Sequence, residues 1–74
     1  MENFYVSYSY ACYDRDTGTY QRKDDWEFVK DISARRAARS MEARCRAIKG
    51  FLGFEIKIVY TEREATRLGI VYSK

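Results

Sequence analysis

SARRAARSMEARCRAIKG, residues 33–50, decides the fold, because helical periodicity here interrupts a chain that otherwise repeats every second residue. Ala34, Ala37, Ala38, Met41, Cys45, Ile48 and then Leu52 recur at spacings of three and four, which gathers them into one apolar stripe on a 3.6-residue helix. The small residues at its start allow a close approach to a sheet. Asp31 or Ser33 can cap the first turn through a side-chain oxygen. Lys49 suits the negative end of the helix dipole, and Gly50 is a natural C-cap.

Before the helix the period is two. Phe4, Val6, Tyr8, Tyr10 and Cys12 fall on one face, and Tyr5, Ser7, Ser9 and Ala11 on the other. Asp14-Arg15-Asp16-Thr17-Gly18-Thr19 is polar and supplies a glycine for a positive φ angle, so it reads as a hairpin loop. The return strand runs from Tyr20 to Val29, with Trp26 and Phe28 expected to face inward. Its charged middle, Arg22-Lys23-Asp24-Asp25, fits a solvated sheet edge. After the helix, Phe54, Ile56, Ile58 and Tyr60 alternate with Glu55, Lys57, Val59 and Thr61, a third strand. Leu68, Ile70 and Tyr72 alternate with Gly69, Val71 and Ser73, a fourth. Between them, residues 61–66 form either a loop or a helical turn, since Thr61 and Glu64 have capping-box spacing. The expected architecture is α+β: a single ββαββ domain over residues 1–74, with one helix covering one face of a four-stranded antiparallel sheet. Strand order 2-1-3-4 satisfies every ladder.

Composition excludes several functions. At 74 residues the chain sits near the lower size limit for a self-sufficient core. It carries 16% aromatic residues and a formal net charge of +3. No apolar run approaches the ~20 residues a membrane span needs. The start, MENFYVSYSY, lacks the basic and apolar regions of a secretory signal, so the expected location is the cytoplasm. Cys12 and Cys45, without a single histidine, cannot complete a disulfide framework or a zinc site. They read as reduced thiols buried between the first strand and the helix.

Catalytic patterns are equally thin. Asp16-Thr17-Gly18 has the letters of an aspartic-protease signature, but Arg15 before it and Thr19-Tyr20 after it belong to a charged turn. Serine and cysteine triads lack their histidine base. Neither GxxxxGK[ST] nor GxGxxG occurs. Gly50-Phe51-Leu52-Gly53 shares only its two glycines with a KH clamp. Asp24, Asp25 and Glu27 fit a solvated edge better than a cation site. The expectation is a protein that is not an enzyme and uses no cofactor and no metal.

The functional lead is the helix itself. Arg35, Arg39, Glu42, Arg46 and Lys49 form one stripe on the wheel, with Arg36 and Arg44 elsewhere on the polar side. Much of the opposing charge lies in the hairpin, at Asp14, Asp16, Asp24, Asp25 and Glu27, and at Asp31 beyond it, so the molecule is electrically polarised. Three readings compete for the stripe: the wet side of a structural helix, a contact to nucleic-acid phosphates, or a docking surface for a protein partner. Tyr5, Ser7, Ser9 and Tyr13 are expected on the other sheet face, alongside Val59 and Val71 and covered by nothing. Tyrosine and serine together make adaptable recognition surfaces. The candidate partner-binding residues are therefore Arg35, Arg36, Arg39, Arg46, Lys49, Tyr5 and Tyr13.

A proline-free, basic ββαββ chain with the Ser-capped helix SARRAARSMEARC resembles small accessory proteins of phages and mobile elements. In plan it is similar to anti-CRISPR proteins of type I systems. The resemblance covers the layout of the whole chain and transfers no functional residue. It implies an inhibitor that occludes a nucleic-acid-binding surface of a host nucleoprotein complex, in the host cytoplasm if phage-encoded. The alternative is a direct, weakly sequence-specific nucleic-acid binder using the Arg-rich helix, and a homodimer through the open sheet face is a further expectation.

Overall fold

The computed structural model describes residues 1–70. In chain order these form β1 (Glu2–Asp14), β2 (Thr19–Asp31), α1 (Ala34–Arg46), β3 (Phe51–Thr61) and α2 (Glu62–Arg67). The sheet is antiparallel throughout, in the order β2-β1-β3. The first three strands of the expected order are thus in place.

The hairpin closes where its chemistry asks. The Gly18 N–H donates to the Asp14 carbonyl at 2.8 Å, with Gly18 at φ 68. Asp14 Oδ1 accepts the Asp16 N–H at 2.9 Å, an Asx turn that holds the loop. Pairing then runs unbroken from Asp14↔Thr19 back to Glu2↔Asp31. Ser33 is the α1 cap, its Oγ accepting the Arg36 N–H at 3.2 Å. Asp31, the other candidate, accepts the Ile32 N–H and the Ser40 hydroxyl instead.

The core lies between α1 and one sheet face. Ala37, Met41 and Cys45 from α1 meet Phe4, Val6, Tyr8 and Val29, flanked by Tyr10, Phe51, Phe54, Ile56 and Val59. Val6 and Ala37 are wholly buried. Removing a side chain such as Val6 or Met41 from water stabilises the fold by roughly 1.5–3 kcal/mol. Cys45 joins this core as expected, whereas Cys12 is only half-buried.

Four expectations are corrected. The helix ends at Ala47, and Gly50 instead serves a following turn, closed by the Phe51 N–H to the Ile48 carbonyl at 3.1 Å. Gly50 adopts φ 82, and a Cβ there would collide with the Tyr13 carbonyl. Its own carbonyl accepts the Tyr13 N–H at 2.8 Å and ties the turn to β1.

Second, Trp26 and Phe28 face away from α1. The hairpin register sets Phe28 opposite Tyr5 and Trp26 opposite Ser7, which leaves Val29 as the inward residue opposite Phe4. The inward position opposite Val6 goes to Glu27, near enough to the helix to meet Arg44 at 3.5 Å.

Third, the alternation of β3 reverses at Lys57. Ser7 pairs with Ile58 but Tyr8 with Ile56, so Lys57 is the extra residue of a bulge. Phe54, Ile56 and Val59 consequently lie on the α1 side, and Ile58 and Tyr60 on the other. A second register shift leaves Leu52 unpaired between Phe51 and Gly53.

Fourth, the described residues form a sheet of three strands and two helices. The Thr61 hydroxyl accepts the Glu64 N–H while the Glu64 carboxylate accepts the Thr61 N–H, a complete capping box that starts α2. Leu68 then ends the helix, Gly69 takes φ 69, and the N–H groups of Gly69 and Ile70 donate to the carbonyls of Thr66 and Ala65. That pair of bonds is a Schellman motif, so Gly69 terminates a helix where a strand interior was expected. Residues 71–74, which include Val71 and Tyr72, lie outside the described residues. α2 packs on β1 and β3, with Ala65 fully buried.

Candidate functional site

The cationic stripe is broken up by acids from its surroundings. Arg36 meets Asp31 at 3.6 Å, Arg44 meets Glu27 at 3.5 Å, and Arg46 meets Glu42 at 2.8 Å. The Arg46 guanidinium also lies 5.8 Å from the Phe51 ring centroid, a cation–π distance. Arg35, Arg39 and Lys49 make no ion pair among the described residues. Arg35 and Arg39 stand one helical turn apart on exposed α1 surface. Lys49 is on the turn beyond the helix, where it joins Tyr13, Lys23 and Leu52 around an open groove of about 600 Å³. The seven sequence candidates therefore occupy three places: the α1 surface, this groove, and, for Tyr5, the opposite sheet face.

That face is organised around Tyr5, which is only 8% exposed. Its ring lies 5.3 Å from Trp26, 6.4 Å from Phe28 and 6.4 Å from Tyr60, and Trp26 and Phe28 meet edge-on at 5.9 Å. Tyr5 is thus the centre of an aromatic cluster that its cross-strand neighbours enclose. Exposed apolar surface beside it lies at Phe28, one of those neighbours, 36% exposed, and at Ile58, opposite Ser7 and 41% exposed. Tyr13, at the far end of the strand, packs against exposed Tyr20 at 4.9 Å.

Beside the aromatic cluster the same face becomes polar. Arg22 donates to Ser9 Oγ at 3.2 Å and approaches Glu55 at 3.7 Å, while Lys57 reaches Asp24 at 3.2 Å. Ser9 is buried beneath these longer side chains. Each exposed pair contributes little stability by itself, but together they fix a bordered, ordered surface.

Trp26, Phe28, Ile58 and Tyr60 are the residues that sequence reasoning left out of this surface. For the two on β2 the signal was available: counting back from the Asp14/Thr19 closing pair sets Phe28 against Tyr5 and Trp26 against Ser7. The bulge that turns Ile58 and Tyr60 outward has no comparable mark.

Two titratable groups of the core, Tyr8 and Cys45, are held protonated. Burial, reinforced by the charges of Glu27 and Asp25, pushes the Tyr8 hydroxyl up to about 12. Burial, with Glu27 nearby, likewise raises Cys45. Asp16, from the protease-like triplet, is exposed at the hairpin tip. Among the described residues no group of three or more His, Cys, Asp or Glu side chains could hold a metal ion, and no helix is long and apolar enough to cross a membrane. No protein-family model, curated protein or solved structure matches this chain.

Proposed function

We propose that this chain is a non-catalytic binding protein that docks through the sheet face opposite α1 and acts by occlusion. The observation that carries the reading is the pairing of exposed Phe28 and Ile58 with an ordered aromatic base beneath and between them. Apolar groups held on rigid strands lose little conformational entropy when a partner covers them, so their burial converts efficiently into affinity. The flanking groups Arg22, Asp24, Glu55 and Lys57 supply a polar rim of both signs.

The partner we infer is a protein surface within a host nucleoprotein complex, the kind of target that the resemblance of the sequence to anti-CRISPR proteins of type I systems implies. Arg35 and Arg39, the α1 cations left without intramolecular acids, would meet phosphates or carboxylates at the margin of that complex. They also support the second reading, direct binding to nucleic acid. Two exposed arginines make a small footprint, so the lone protein should bind nucleic acid weakly at physiological salt. The test is DNA binding by a purified type I surveillance complex with and without this protein. Loss of target-DNA binding is expected. Tight, steeply salt-dependent binding of the lone protein to DNA or RNA would transfer the function to the second reading.

A further inference from the structure

The two outer edges of the sheet are unlike. β2 carries Arg22, Lys23, Asp24, Asp25, Glu27, Lys30 and Asp31 along its length, a charged edge that discourages pairing. β3 is almost as long but bears only Glu55 and Lys57, with exposed Leu52 and Ile58. Among the described residues no strand pairs with its outer side.

We propose that β3 pairs with β3 of a second copy, antiparallel about a two-fold axis at Ile56, to give a continuous six-stranded sheet. Charge complementarity selects this register. Centring on Ile56 sets Glu55 of each copy against Lys57 of the other. Within one copy Lys57 already meets Asp24 at 3.2 Å and Arg22 approaches Glu55 at 3.7 Å. The seam therefore joins these pairs into rows that run Asp24, Lys57, Glu55, Arg22 across both molecules, with alternating sign at every step.

The bulge fits the same register. Because face alternation belongs to the strand, the extra residue at Lys57 must be accommodated on both of its sides. With Lys57 and Ile58 together opposite the second copy's Glu55, the next pairs are Val59 with Phe54 and Tyr60 with Gly53. Val59 and Phe54 both lie on the α1 side, where they extend the core. Tyr60 and Gly53 both lie on the other side. Nothing stands within 4 Å of where a Gly53 Cβ would be, which leaves room for a facing tyrosine ring. Shifting the axis by one residue to either side loses the Glu55–Lys57 match. A chain this small also gains from association, since a single core of its size leaves a thin margin. The dimer leaves the proposed docking face of each copy open on one side of the joint sheet, so the two proposals stand or fall separately.

Analytical ultracentrifugation of the full chain and its charge variants tests the seam, with circular dichroism to verify that each variant is folded. The wild type should sediment as a concentration-dependent dimer. Lys57→Glu, which opposes like charges at two symmetry-related positions, should weaken it by roughly tenfold. The double exchange Glu55→Lys with Lys57→Glu should recover most of that loss, although it breaks both intramolecular pairs. A wild type that stays monomeric overturns the proposal. So does a dimer indifferent to Lys57→Glu, which would place the contact on another surface.

Discussion

The two faces of one strand do different work. On the α1 side, Phe4, Val6 and Tyr8 are sealed by Ala37, Met41 and Cys45, and almost nothing of this layer reaches water. On the other side, Tyr5 is just as central but is packed against rings from β2 and β3, of which Phe28 stays exposed, as does Ile58 on the same face opposite Ser7. A helix can bury a sheet face completely because it brings its own apolar stripe. The other face has no such stripe, and its cross-strand rings finish its centre while part of its margin stays exposed. The margin is where a partner can be recognised at little cost to folding.

Substitutions graded from the centre outward sharpen that contrast. Met41→Ala leaves a cavity in the sealed layer and should cost about 3 kcal/mol in urea unfolding. Tyr5→Ala should cost nearly as much, about 2–3 kcal/mol, because its ring is buried too. A near-neutral Tyr5→Ala would show that the outer face has no core of its own. Tyr8 gives a pH-dependent version. Its hydroxyl ionises near 10 in an unfolded chain and is pushed up to about 12 here, so the fold keeps it neutral. The stabilisation is complete below pH 10 and fades as pH rises towards 12, by up to about 2 kcal/mol. Tyr8→Phe should accordingly remove part of the alkaline unfolding of the wild type.

Smaller effects belong to the margins. Phe28→Ala or Ile58→Ala, at partly exposed positions, should each change stability by less than about 1 kcal/mol. The smallest effect is at Glu64, where the backbone N–H of Thr61, then its side chain, lower the carboxyl from its usual range. The ionised form is the one the capping box stabilises, so that contribution is present at neutral pH and lost as pH falls through the lowered value. Glu64→Gln should flatten the acid dependence of amide exchange in α2 and leave α1 unchanged.

Local chemistry made the hairpin, α1 and the α1-facing side of β1 readable in advance. Gly18, Ser33 and the Ala37/Met41/Cys45 spacing each act within a few residues, and each does what its neighbours dictate. The errors came where sequence alternation and three-dimensional register part. Gly69 sits in a run that alternates like a strand, yet the capping box at Thr61 had already committed the chain to a helix that a glycine must end. The phase of β3 turned on the Lys57 bulge, a consequence of pairing with β1 that no residue type announces. The basic stripe was visible, but its division into paired Arg36, Arg44 and Arg46 and unpaired Arg35 and Arg39 depended on where β2 and the helix's own Glu42 placed their acids. Tyr5 was placed on the correct face. Its burial, which leaves Phe28 and Ile58 as the exposed apolar residues near it, followed from rings on two other strands.

On the proposed reading, the margin of the outer face, rather than the α1 arginines, makes the decisive contact. Two double variants decide it in the same DNA-binding assay on a type I surveillance complex: Phe28→Ser with Ile58→Ser, and Arg35→Glu with Arg39→Glu. Both should fold, since all four positions are exposed. The first should lose at least tenfold in inhibitory potency and the second should lose less. Full potency in the first, with loss confined to the arginine variant, would contradict it and assign recognition to the helix.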